Sequence, residues 1–156
     1  MRVFVIVLPL AIASCTSRFG TVVDAKSNSV QTEQQALKIV ALEGVVTNVV
    51  RASGSIIVFV NLSDADMSKL SKRQPDYCFK SASRAEYIKG LGFRDKWTDQ
   101  VGVQLSVDSV DSKANRAAAY VEWIGKSTKI KYGVDMAENH GWVVTNVWTA
   151  MILDLR

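Results

Sequence analysis

Few residues of this chain could take part in metal binding or nucleophilic catalysis. The single histidine, His140, precedes Gly141 in a segment that is typical of a turn. A metal site needs several clustered His, Cys, Asp or Glu ligands, and a nucleophilic triad needs a histidine base. The sequence places no such partner near His140, so we interpret it as a turn residue. We therefore predict no catalytic residue, no metal site and no cofactor.

Carboxylates are the remaining candidates for acid–base chemistry. Asp64 and Asp66 are close in sequence, but they are typical of the first turn of a helix, where they complement the helix dipole. Asp108 and Glu122 fall on neighbouring predicted strands and could form an acid–base pair. The alternative is that both are solvated on the outer face of a sheet. A carboxylate-based enzyme is therefore only the third functional hypothesis.

Aromatic side chains are the better candidates for a binding site. Trp142 and Trp148 have the even spacing that places residues on one face of a strand. Together with Tyr120 or Tyr132, these two tryptophans could line a pocket under the first helix. Because aromatic residues are also favoured inside sheets, we expect Trp123 and Trp142 to lie in the core.

Trp97 lies directly after three charged residues in a segment without regular periodicity. An aromatic side chain in such surroundings suits a loop that contacts a partner protein. The alternative is that Trp97 pins this loop to the sheet.

The first half of the domain predicts two helices and short strands. Thr32 fits the start of a capping box, Ser63 fits a second helix cap, and a short β-branched run fits a strand that is buried on both faces. The expected elements are a helix from Thr32 to about Val50, a strand over Ile56–Leu62, a helix from Ser63 to near Lys72, a short strand over Tyr77–Phe79, and an irregular segment over Ser81–Gln100.

The last third predicts an antiparallel meander. Alternating apolar residues begin near Val101, Ala117 and Ile130, and the final strand begins at Trp142. Turns are expected at Asp111–Lys113 and Asn139–Gly141. Helices followed by such strands indicate an α+β fold, with N-terminal helices packed on a twisted antiparallel sheet. The pattern of these strands resembles the cystatin-like roll of the nuclear transport factor superfamily, which implies a concave sheet face under the helices.

The N-terminus has the features of an export signal. One positive charge at Arg2 is followed by the apolar run Val3–Ala13, which is too short to span a bilayer. Its end, Ile12-Ala13-Ser14-Cys15, resembles the lipobox of bacterial lipoproteins. That resemblance implies cleavage before Cys15, lipid attachment to Cys15, and anchoring in a bacterial membrane. Because Thr16 is not the aspartate associated with inner-membrane retention, the resemblance implies the outer membrane.

These features divide the chain into three parts. Residues 1–14 would be the lipoprotein signal peptide, residues 15–30 a flexible tether rich in small and polar residues, and residues 31–156 a single α+β domain. The alternative is cleavage after Ala13 by the ordinary signal peptidase, which would release a soluble periplasmic or secreted protein. Cys15 could then pair with Cys78, which we otherwise expect to be buried.

Composition favours a folded, exported domain without nucleic-acid binding. The 156 residues are 48% hydrophobic and 22% charged, and the net charge of +4 comes from basic residues that are spread along the chain. The first hypothesis is a membrane-anchored lipoprotein with a non-catalytic domain that contacts another envelope protein. The second is a small-ligand binder that uses a pocket between helices and sheet.

Overall fold

A computed structural model describes residues 25–51 and 54–154 of the chain. The predicted signal peptide, Cys15 and residues 15–24 of the predicted tether lie outside this part. Helix α1 spans Ala25–Val45, so it begins before Thr32 and includes the end of the predicted tether. It continues as a π-helical turn over Val46–Val50, which agrees with the predicted end of the first helix.

Helix α2 spans Asp64–Arg73 and begins as the sequence predicts. Ser63 has extended backbone angles, and its hydroxyl accepts a hydrogen bond from the Asp66 amide at 3.2 Å. Asp64 and Asp66 both lie in the first turn, where a negative charge complements the helix dipole. The N-cap prediction at Ser63 is therefore confirmed.

The helices pack on an eight-stranded sheet, which gives the α+β fold that the sequence predicts. The main path of the sheet runs β2-β1-β5-β6-β7-β8, and a β3–β4 hairpin joins it through β5. The strands are β1 (Ile57–Val60), β2 (Cys78–Ser81), β3 (Ala85–Ile88), β4 (Gly92–Asp95), β5 (Val101–Lys113), β6 (Arg116–Ile124), β7 (Thr128–Glu138) and β8 (Trp142–Asp154).

The sheet is mixed rather than wholly antiparallel as predicted. Strand β1 is parallel to both of its neighbours, with Val58 opposite Phe79 of β2 and opposite Val103 of β5. Parallel neighbours need a crossover connection, and α2 provides it between β1 and β2. The meander of β5 to β8 is antiparallel, as expected.

Two local predictions are wrong. The segment Ser81–Gln100 is not irregular, because it contains a short 3₁₀ turn and the β3–β4 hairpin. The expected turn at Asp111–Lys113 lies inside β5, and the chain reverses at Ala114 and Asn115 instead. Ala114 has a φ of 54°, the left-handed conformation that this tight connection requires.

The main core lies between α1 and the strands β5 to β8. It consists of apolar side chains that α1 and alternate positions of the strands direct toward each other. Gly44 of α1 faces Val144 of β8, where an added Cβ atom would lie 2.8 Å from a Val144 methyl group. The largest fully buried side chains include Leu37, Leu42, Val45, Phe59, Leu70, Leu105, Val121 and Met136.

Three single-residue bulges interrupt the antiparallel register. The pairing skips Asp108 in β5, and it skips Thr145 and Ala150 in β8. Each extra residue reverses the alternation of side chains that follow it in the strand. The bulges therefore decide which residues of these strands face the core and which face away from it.

Candidate functional site

The aromatic residues predicted to share a pocket lie on opposite faces of the sheet. Tyr132 points into the core and is only 9% exposed, and this burial raises the pKa of its phenol. Tyr120 and Trp148 lie on the outer face, where their rings meet edge to face at 6.0 Å over Gly133. The bulge at Thr145 places Trp148 opposite in direction to Trp142, so the predicted shared face is wrong.

The two tryptophans that we assigned to the core do pack against it. Trp123 and Trp142 are partly buried beside the main core cluster. That prediction is confirmed. Neither residue can line a common pocket with Trp148, because Trp148 lies on the opposite face of the sheet.

Trp97 lies in the turn between β4 and β5 and is 76% exposed. The Arg84 guanidinium stacks on its ring, 4.4 Å from the ring centroid. A side chain with this exposure does not pin the loop to the sheet. The role of Trp97 in contacting a partner stays a prediction.

A buried carboxylate holds the same loop in place. Asp95 is inaccessible to solvent, and its Oδ2 accepts hydrogen bonds from Lys80 Nζ at 2.6 Å and Arg84 Nη2 at 2.7 Å. The Trp97 amide donates to Oδ1 at 2.9 Å. Burial alone would raise the pKa of Asp95, but Lys80, the Trp97 amide and Arg84 together lower it well below its usual range. These interactions stabilise the conformation of the turn between β4 and β5.

The candidate acid–base pair is engaged by lysines on the outer face of the sheet. Lys131 Nζ contacts Asp108 at 2.7 Å, and Lys129 Nζ contacts Glu122 at 2.8 Å. The hydrogen bond and the charge of Lys131 lower the pKa of Asp108. A general acid needs the opposite shift at neutral pH, so this geometry does not favour acid catalysis by Asp108.

Cys78 is exposed, which corrects the expectation that it is buried. Its neighbours Tyr77 and Phe79 pack against the core, and alternation along the strand turns Cys78 away from them. Its place on the edge strand β2 leaves the thiol accessible.

His140 occupies the β7–β8 turn, as predicted, with a left-handed φ of 55°. Residues 25–51 and 54–154 contain no cluster of three or more His, Cys, Asp or Glu that could hold a metal ion. The imidazole instead lines a surface cleft that sequence reasoning did not locate.

This cleft lies between α1, α2 and the β7–β8 turn, and we call it the α1–α2 cleft. Its volume is about 1170 Å³, which is larger than most sites for small ligands. Its lining combines apolar side chains with amides, a hydroxyl, a carboxylate and cationic side chains. It is lined by Gln31, Thr32, Gln35, Ala36, Ile39, Val40, Asp66, Lys69, Lys72, Arg73, Asn139, His140, Gly141, Trp142 and Val143.

Asp66 joins the two helices at the base of the cleft. Its carboxylate accepts hydrogen bonds from Gln35 Nε2 and Ser63 Oγ, both at 2.7 Å, and from Lys69 Nζ at 2.9 Å. The bonds from Ser63, Gln35 and Lys69 lower the pKa of Asp66 to about 2. The carboxylate is therefore ionised and engaged by its own protein.

A second surface is the free edge of the sheet at β8. The twelve residues from Trp142 to Leu153 include no charged residue, histidine or proline. Trp148, Met151 and Leu153 are exposed on the outer face of this strand. By contrast, the opposite edge strand β2 has four residues and includes Lys80.

Two sequence signals point to these surfaces. The cations of the cleft recur at helical spacing in α2, at Lys69, Lys72 and Arg73, which places them on one side of the helix. The uncharged run of β8 is visible directly in the sequence. Neither signal shows where the neighbouring elements lie, because that depends on the parallel pairing of β1.

No helix among the described residues is long and apolar enough to cross a membrane. In comparisons with known proteins, no family model, no curated protein and no solved structure matches this chain.

Proposed function

We propose that this protein is an outer-membrane lipoprotein of the bacterial envelope, anchored through lipid on Cys15, whose non-catalytic domain binds an extended segment of another envelope protein. The lipobox resemblance at residues 12–15 supports the anchor and the location. The exposed, uncharged edge of β8 carries the proposal for the domain. The cystatin-like roll remains part of this proposal, with the β5 to β8 meander as its support.

The argument for strand addition rests on the chemistry of an open sheet edge. Unpaired amides and carbonyls along such an edge pair readily with another strand, and proteins usually blunt long edges with lysine, proline or short length. β8 has 13 residues and neither lysine nor proline between Trp142 and Leu153, and its bulges at Thr145 and Ala150 divide the edge into shorter regular stretches. A partner strand would add backbone hydrogen bonds, while Met151 and Leu153 would contact its side chains.

Site-specific photocrosslinking in the native envelope tests this proposal. A photoreactive amino acid at Met151, which is 43% exposed, should give a discrete adduct with a second protein. The matched control is the same amino acid at Leu91, which is 41% exposed in the β3–β4 turn and should give none. Adding Leu153→Lys should remove the Met151 adduct, because a charge would be brought against an apolar partner surface.

Two results would overturn the proposal. The absence of any adduct specific to Met151 would show that β8 is not a docking edge. An adduct of twice the protein's own mass would show that the edge pairs with a second copy instead.

A second candidate function is small-ligand binding, and the α1–α2 cleft favours it. The cleft is large enough for a small ligand, and its lining combines apolar side chains with polar and charged groups that could orient one. It lies between the two helices and the β7–β8 turn rather than over the concave face of the sheet. Of the aromatic residues proposed for a pocket, its lining includes Trp142 but none of Trp97, Tyr120, Tyr132 and Trp148.

A further inference from the structure

The cations on one wall of the α1–α2 cleft exceed the carboxylates available to them. Lys69 is paired with Asp66 at 2.9 Å, and Arg73 is paired with Glu43 at 3.2 Å. Lys72 has no acidic partner within salt-bridge distance among the residues that the structure describes. The α2 wall therefore presents one uncompensated positive charge to the cleft.

Asp66, the only carboxylate that the described part of the chain contributes to the lining, cannot serve as a site for a cation. Asp66 is 6% exposed, and three side chains already donate hydrogen bonds to it. A cationic ligand would have to displace Lys69 or Gln35 to reach this group. An anionic head, by contrast, would find Lys72 directly and the outer faces of Lys69 and Arg73 beside it.

The remaining lining includes the polar side chains of Gln31, Thr32 and Gln35, but it also has an apolar part that suits a hydrocarbon body. Ala36, Ile39 and Val40 of α1 form one apolar wall, and Trp142 and Val143 of β8 form another. Burial of hydrocarbon against such a surface contributes about 25 cal/mol per Å². Asn139 and His140 close the end of the cleft at the β7–β8 turn.

We propose that the α1–α2 cleft binds an amphiphile with an anionic head, a phosphate or carboxylate, and an apolar chain or ring. The head lies at Lys72, and the apolar part lies along Ala36, Ile39 and Trp142. This inference rests on the second candidate function and adds the chemical class of the ligand. It is independent of the β8 edge.

Calorimetric titration with five probes distinguishes recognition of the head from recognition of the apolar part. The protein is the full-length chain with Cys15→Ser, which removes the proposed acylation site. Octyl phosphate below its micelle concentration should bind, whereas inorganic phosphate, octyl glucoside and octyltrimethylammonium should bind at least about tenfold more weakly. Octanoate should bind with an affinity similar to that of octyl phosphate if charge alone is recognised. A much higher affinity for octyl phosphate would identify the head as a phosphate.

Substitutions of cleft residues test whether the octyl probes bind in the α1–α2 cleft. Lys72→Glu should weaken octyl phosphate binding about tenfold, which is the size expected for reversing one solvent-screened charge at contact distance. Lys89→Glu makes the same charge change in the β3–β4 turn and should have little effect. Ala36→Trp, at an exposed position of α1, should fill the cleft and abolish binding of every octyl probe.

The outcomes distinguish the two levels of the proposal. The wild type could bind octyl phosphate and octyl glucoside with equal affinity and lose both in Ala36→Trp. That result would overturn recognition of an anionic head but support ligand binding in the cleft. Binding that survives Ala36→Trp, or no binding of any octyl probe, would overturn both the inference and the second candidate function.

Discussion

A single buried carboxylate stabilises the α1–α2 cleft, and another stabilises the β4–β5 turn that carries Trp97. Asp66 joins α1 to α2 through Gln35 and Ser63, and Asp95 fixes the β4–β5 turn through Lys80 and Arg84. Both are buried, and both have a lowered pKa. A folded-state pKa below the unfolded value means that the native state is favoured when the group is ionised.

The stability supplied by Asp66 should therefore depend on pH. Its folded pKa is about 2, against 3.8 for an unperturbed aspartate, so its contribution is complete above about pH 4 and is lost as the pH falls through about 2. Asp66→Asn should lower the free energy of unfolding at pH 6, and this difference should shrink between pH 4 and pH 2. Urea unfolding at several pH values measures it.

Asp64→Asn is the matched control for that experiment. Asp64 lies in the same first turn but accepts none of the three side-chain hydrogen bonds that hold Asp66. It should leave the pH dependence of the wild type almost unchanged. A constant difference between wild type and Asp66→Asn from pH 6 to pH 2 would contradict the assigned role.

Residue periodicity predicted some positions and failed at others for identifiable reasons. The cap at Ser63 and the turn at His140 depend on local chemistry, so the sequence is sufficient to find them. The direction of Trp148 depends on the bulge at Thr145, which no residue type announces. Cys78 was expected to be buried because of its neighbours, although alternation along a strand turns it the opposite way.

At the scale of elements, the close approach of β1 to β5 depends on a residue without a side chain. An added Cβ atom at Gly102 would collide with the backbone carbonyl of Ile57 on the parallel neighbour. Backbone cannot rotate away as a surface side chain can. Gly102 therefore sets the spacing at the parallel joint of the sheet.

Gly102→Ala should lower the free energy of unfolding by about 1–3 kcal/mol, the usual cost of overpacking a core. Ser106→Ala in the same strand serves as the control, and its effect should stay within about 0.5 kcal/mol. Chemical denaturation of the two variants gives the comparison. Equal stability of Gly102→Ala and the wild type would mean that β1 and β5 can move apart to accommodate the methyl group without a loss in the free energy of unfolding.

The connection between elements was harder to predict than the elements themselves. The sequence predicts the strand at β1, the helix α2 and the short strand at β2. It does not show that α2 is a crossover that makes β1 and β2 parallel, because strand order is set by packing across the whole sheet. The α1–α2 cleft depends on that placement of α2, and so it could not be located in advance.

At the scale of the whole molecule, the sheet has a protected centre and a long open side. β6 is paired along both edges, whereas β8 pairs only with β7 within residues 25–51 and 54–154. Amides with a partner on a covered strand exchange with solvent only through larger openings of the structure.

Hydrogen exchange should therefore be slowest in β6 and should alternate along β8. Amides of β8 that point to β7 should be protected, and those that point away should exchange fast, as NMR can measure residue by residue. Uniform protection along β8 that grows with protein concentration would show instead that two copies cover this edge.

The bulge at Thr145 also determines which residue of β8 could be deleted without changing the direction of the side chains that follow it. Deletion of one residue from a regular strand moves every later side chain to the opposite face, which would expose Val147 and bury Trp148. Deletion of Thr145 itself would instead leave Val144 and Asn146 as ordinary neighbours with their present directions. Loss of this one codon should therefore leave every later side chain of β8 on the face of the sheet that it occupies now.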